Sequence, residues 1–212
     1  MSSQNGSGWG VFIAKLSRLS NWLVMMGLLG LIGLRRVTFF TYPRLWAEEG
    51  TLHFPYAFRH PGWGTLLTPQ IGYLNFWANL AAIVASQAPL EAVPLVTTLM
   101  GLAVQLIPPA WILWNEGVWR GWLRKAGGLV VYFFMANTQE TWLNSLNSFN
   151  YFILVAFLIL LDPPPANRLR RWAGRGLLLL SGLSGVTANF LLPLFAWRWW
   201  GERSRERLVQ FF

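Results

Sequence analysis

The chain has 212 residues, 54% of them hydrophobic and 12% charged, where a soluble domain carries about a quarter charged residues. That balance argues against a soluble globular domain and for helices crossing a hydrocarbon layer about 30 Å thick, in which backbone groups must be satisfied internally. The net charge of +9 lies in short arginine runs beside apolar segments, so it reports orientation in a membrane and not nucleic-acid binding; the absence of cysteine excludes a disulfide framework, a thiolate nucleophile and a Cys-ligated metal.

Residues 1–15 open with a polar, Gly/Ser-rich stretch and read as a mobile tail. Lys15 and Arg18 precede an apolar run from Asn21 to Leu34, which reads as a first span. Arg35 and Arg36, not a small-residue cleavage site, follow it, so it reads as an uncleaved signal anchor. Residues 35–71 mix charge, aromatics and four prolines without a long apolar run, the pattern of a structured loop on the membrane surface. Further apolar runs cover 71–86, Ala92–Leu113, Ala126–Ala136 and Tyr151–Leu161. The sequence DPPPANRLRRWAGR at 162–175 is a Pro-rich stop followed by arginines, and the charge bias places it in the cytoplasm.

The last run, Gly176–Trp197, is broken by Gly182, Gly185, Asn189 and Pro193 and reads either as one kinked span or as a hairpin with both ends on one side. Fourteen tryptophans cluster beside charges, as rings anchored at headgroup level do. The expected fold is an all-α polytopic membrane protein of about five to seven hydrophobic helices, with residues 16–212 forming one transmembrane domain. The orientation of loop 35–71 depends on whether residues 72–87 cross fully or insert only partly.

Few residues carry chemistry. Glu48 and Glu49 are adjacent and followed by Gly50; paired carboxylates can raise one another's pKa and serve as a general base or a cation site, or else cap a surface helix near Arg44. His53, Tyr56, Arg59 and His60 follow within about three helical turns, and a guanidinium fork suits a phosphate. The Glu-Glu-x-x-x-His spacing leaves room for a divalent cation but lacks a third and fourth ligand, so no metal site is assigned. Asp162, Glu202 and Glu206 lie among arginines and read as surface partners or solvated groups. Asn137, Gln139, Glu140, Asn144, Asn147 and Asn150 form a second polar cluster; the last three recur along one helical face, where amides can hold a sugar or join neighbouring helices.

The segments TYPRLWAEEGTLHFPYAF, TPQIGYLNFWANLAA and NTQETWLNSLNSFNYFILVAFLILLDPPP, followed by LLLLSGLSGVTANFLLPLFAWRWW, resemble the N-terminal part of bacterial polytopic GT-C-type glycosyltransferase-like proteins. In that family an acidic motif in the first external loop, often Glu-Asp-Gly, precedes a Gly-Tyr start of the next hydrophobic segment; here the counterparts are Glu48-Glu49-Gly50 and Gly72-Tyr73. The resemblance implies a lipid-linked sugar donor carried on polyprenyl phosphate, an inner-membrane location, Glu49 in the position of the family's aspartate and Glu48 before it. It further implies that Glu140 and the asparagine face at 144–150 form the other wall of an external cavity, so that the candidate substrate-binding residues are His53, Tyr56 and Arg59 from the loop chemistry together with Tyr73, Glu140, Asn144 and Asn147. The alternative is a non-catalytic integral subunit that stabilises a larger membrane complex together with further membrane subunits. A transporter is disfavoured by the scarcity of ionisable groups inside spans.

Overall fold

The computed structural model describes residues 6–115, 117–135 and 143–211, with side chains from residue 18 onward except at position 135. The chain divides into two compact units, residues 1–37 and 38–212, where a single domain from residue 16 is expected. In the first unit a 30-residue helix α1 (Gly6–Arg35) begins inside the segment expected to be a mobile tail.

The second unit is helical throughout its regular structure, and no strand occurs among the described residues, where only two isolated bridges pair extended backbone. The segment from residue 38 to 71 carries short helical turns. It contains α2 (Thr38–Thr41), one π-helical turn (Glu49–His53), α3 (Phe54–Arg59) and a 3-10 turn (Trp63–Leu67). Ala57 and Leu66 of this region pack on Ala82 and Ile83 of α4 (Phe76–Ala85).

Asn75 caps α4 by accepting the Ala78 N–H at 3.2 Å, the service that a short polar side chain gives at an N-cap. Helices α5 (Val93–Gln105) and α6 (Ile107–Trp114) each carry proline in the first turn. No intrahelical donor is lost there, so Pro94, Pro108 and Pro109 start helices where an interrupted run is expected.

Beyond α7 (Trp122–Met135) come a 3-10 turn (Leu146–Ser148) and α8 (Phe149–Leu161). Val104, Tyr132, Tyr151 and Phe152 form the core where α5, α7 and α8 meet. Gly101 permits this packing: a Cβ there would stand 2.7 Å from the Asn144 backbone nitrogen, so helix and loop meet backbone to backbone.

The last apolar run forms two helices joined by a turn. Helix α9 (Arg168–Leu183) runs antiparallel to α8 and ends beside Asn75, which bridges to Ser184. After Gly185 at φ +132° and a 3-10 turn (Thr187–Leu191), α10 (Leu192–Glu202) returns. Arg198 of α10 then donates to the Leu160 carbonyl at the end of α8.

Arg207 of α11 (Arg205–Phe211) is 1% exposed and donates to Glu202, Gln210 and the Asp162 carbonyl. Asp162, expected to be a surface group, is buried. It accepts from Trp111 Nε1 at 2.7 Å, Asn115 Nδ2 at 2.6 Å and the Val118 N–H at 2.8 Å, joining α6, the following loop and α8. Burial, partly offset by the Val118 and Trp111 donors and by the Arg198 and Arg207 charges, raises its pKa.

Leu90–Trp114 is the one helical stretch among the described residues that is long and apolar enough, at 25 residues, to cross a membrane; Phe76–Ala85 and Leu146–Leu161 are apolar but shorter.

Candidate functional site

The polar centre of the second unit lies where the Glu48–His53 turn meets the start of α8. Ala47 adopts a left-handed φ of +38°, a conformation that a residue bearing Cβ seldom takes. The turn it makes is closed by the Gly50 and Thr51 N–H groups, both donating to the Ala47 carbonyl. Within it, the Trp46 N–H donates to Glu49 Oε2 at 3.0 Å.

The other Glu49 oxygen reaches across the fold. Oε1 accepts the Ser145 N–H at 2.6 Å, the Ser145 hydroxyl at 2.5 Å and the Leu146 N–H at 3.2 Å. A helix start leaves several N–H groups without intrahelical partners, and a carboxylate there also meets the positive end of the helix dipole. Asn144 completes the cap by accepting the Asn147 N–H at 2.7 Å, and Asn75 Nδ2 donates to the Leu146 carbonyl at 2.9 Å.

Glu49, expected to present its carboxylate to substrate, is thus 2% exposed with both oxygens engaged. It does cap a helix, but one 96 residues away in sequence and not a surface helix near Arg44. Glu48 differs in kind: it is half-buried and its carboxylate makes no hydrogen bond among the described residues.

His53 ends the π-helical turn, whose wide spacing is marked by the Phe54 N–H donating to the Glu49 carbonyl. Single π turns recur at functional sites because they re-aim side chains relative to an α-helix. The buried imidazole meets Asn79 with Nδ1 2.9 Å from its side-chain oxygen. Asn79 Nδ2 already donates to the Leu66 and Thr68 carbonyls, so its oxygen must accept and Nδ1 must carry the proton. Nε2 is left as a lone-pair nitrogen without a hydrogen bond among the described residues. Burial lowers the His53 pKa, opposed by the Asn79 hydrogen bond and the Glu49 and Glu48 charges.

Tyr56 is half-buried and stacks on His60, ring centroids 4.4 Å apart. Arg59 is exposed, with Nε donating to the Pro55 carbonyl at 3.1 Å. Tyr73 closes a tight turn with Gln70, whose middle residues Ile71 and Gly72 have φ of +54° and +85°; the turn leads directly into Asn75. Asn144 is 2% exposed and serves as a cap, and Asn150 Nδ2 donates to the Asn147 carbonyl at 3.2 Å. The asparagines therefore organise the start of α8 instead of forming an outward amide face. Glu140, with Asn137 and Gln139, lies outside the described residues.

Sequence reasoning misses Asn75, Asn79 and Ser145. The one available signal is the pair of asparagines at the head of α4, four residues apart and so on one helix face. No group of three or more His, Cys, Asp or Glu that could hold a metal occurs among the described residues. Comparison with protein families, with characterised proteins and with solved structures returns no match.

Proposed function

We propose that the chain is a polytopic membrane module of glycosyl transfer, using a sugar carried on polyprenyl phosphate, with Glu48 as the general base. The observation that carries this reading is the division of labour in the acidic pair. Glu49 is committed to holding the start of α8, while Glu48 beside it keeps a half-buried carboxylate with no hydrogen bond among the described residues.

In the proposed reaction Glu48 takes the proton of an acceptor hydroxyl as its oxygen attacks the anomeric carbon. The bond from that carbon to the phosphate oxygen breaks, and the phosphate leaves with the electron pair. The exposed guanidinium of Arg59 is placed in the same loop to meet that charge. The polytopic reading is supported by the span-length stretch Leu90–Trp114 and by the shorter apolar helices packed with it.

Transfer by Glu48→Gln and Glu49→Gln, assayed in membranes supplied with a polyprenyl-phosphate sugar, separates the two roles. Glu48→Gln should lower the rate by about 10²–10⁴-fold, the usual worth of a general base, with thermal stability unchanged. Full activity in that variant refutes the assignment.

The second reading, a non-catalytic subunit of a larger membrane complex, is favoured by one observation. The second unit leaves large apolar side chains uncovered, including Leu123, Phe190 and Trp197 at 87%, 75% and 82% exposure. Purification only as a stoichiometric complex, with no transfer by the complex, would establish it.

A further inference from the structure

The end of the bundle opposite the candidate site carries a second feature. Helix α8 separates the two, running from the Glu49-capped start to Asp162 over 13 residues, about 20 Å at the α-helical rise. At the Asp162 end, α6 and the first turns of α9 flank a slot of about 240 Å³. Trp111 and Trp114 form one wall, Ala173 and Leu177 the other, and Pro165 and Arg170 line it as well.

Three neighbouring cations are already committed, and Arg168, which among the described residues is not, lies outside the lining. Arg175 holds Glu206 through two hydrogen bonds, at 3.2 and 2.6 Å, Arg171 donates to the Pro165 carbonyl, and Arg207 is buried against Glu202. Arg170 has an exposed guanidinium with no ion pair and no side-chain hydrogen bond among the described residues. Trp114 is the last residue of the span-length apolar stretch, so in the proposed membrane placement the slot stands where headgroups meet hydrocarbon, the depth that indole rings prefer.

We infer that this slot binds one anionic glycerophospholipid of the bilayer, an acyl chain lying between α6 and α9 and the phosphate on Arg170. Apolar walls match the chain, and a planar unpaired fork matches two phosphate oxygens. The distance from Glu48 separates this lipid from the proposed sugar donor. Arginine enrichment at this end corresponds to the cytoplasmic leaflet. The inference rests on the membrane placement of the bundle and not on glycosyl transfer.

The test is native mass spectrometry of the full chain in mild detergent, titrated separately with phosphatidylglycerol, phosphatidylcholine and decaprenyl phosphate. Phosphatidylglycerol should bind one per chain, about tenfold more tightly than phosphatidylcholine, because both offer the same phosphodiester oxygens but the choline cation offsets that charge and is brought beside the guanidinium. Arg170→Gln should erase that preference, Ala173→Trp should block the slot, and Arg168→Gln, two residues earlier on a different face of the helix and outside the lining, should change nothing.

Equal binding of the two phospholipids overturns the inference, as does an equal effect of the Arg168 and Arg170 variants. Preferential uptake of decaprenyl phosphate through Arg170 overturns it in favour of an isoprenoid occupant. Whether washed membranes release the chain only into detergent tests the membrane placement separately, so a chain that needs detergent yet shows no phosphatidylglycerol preference refutes the slot alone.

Discussion

Replacing Glu49 by glutamine keeps the side chain's shape and changes one oxygen into an NH2 group. The carbonyl oxygen that remains can serve the three donors of Ser145 and Leu146. The new amide nitrogen must then face the Trp46 N–H, which now donates to Oε2 at 3.0 Å, setting donor against donor. Loss of a hydrogen bond to a carboxylate costs about 1.5–3 kcal/mol, and removing a negative charge from a helix start costs roughly 0.3–1 kcal/mol more.

For a chain of this size each kcal/mol corresponds to about 2–4 °C in Tm, so the variant should melt on the order of 10 °C lower. Thermal unfolding of the purified chain in detergent, followed by tryptophan fluorescence, reads this directly. Glu49→Ala should fall further, because all four donors lose their acceptor. If Glu49→Gln melts within about 1 °C of the wild type, Glu49 does not hold the start of α8 and the division of roles between Glu48 and Glu49 collapses.

Two further outcomes follow from the same region. Ile71 is 61% exposed and held at φ +54°, where a β-branched residue is strained; Ile71→Asn should gain about 1 kcal/mol, seen as a higher Tm. His53 has its pKa lowered by burial, so it is neutral in the fold while the unfolded chain protonates near pH 6.5. Its contribution is intact above that value and is lost as pH falls toward the lowered folded pKa. Tm measured from about pH 8 to pH 5 should therefore decline less steeply for His53→Gln, which keeps a donor for Asn79.

The helical class was legible because composition and long apolar runs depend on no partner. The Glu48-Glu49 pair was visible for the same reason, as a local concentration of charge in an apolar chain. What each carboxylate does was not legible. Apart from the local Trp46 N–H, Glu49 differs from its neighbour through contacts with Ser145 and Leu146, and no spacing rule reaches across such a separation. The asparagine triplet misled in the opposite way: its regular spacing suggested a helical face, whereas Asn144 stands before the helix and caps it. Asp162 looked like a surface group among arginines, yet the indole and amide that bury it lie on another helix, Trp111 of α6, and just beyond it, Asn115.

The bond between Glu49 and Ser145 also sets a clock for biogenesis. The two residues are 96 apart, and at a synthesis rate of about 5–20 residues per second the carboxylate waits roughly 5–20 s before its partners exist. Throughout that interval the loop carrying it must stay hydrated. The first turn of α8 becomes secure only when a segment made much earlier is brought back to it, so the order of packing in this chain departs from the order of synthesis.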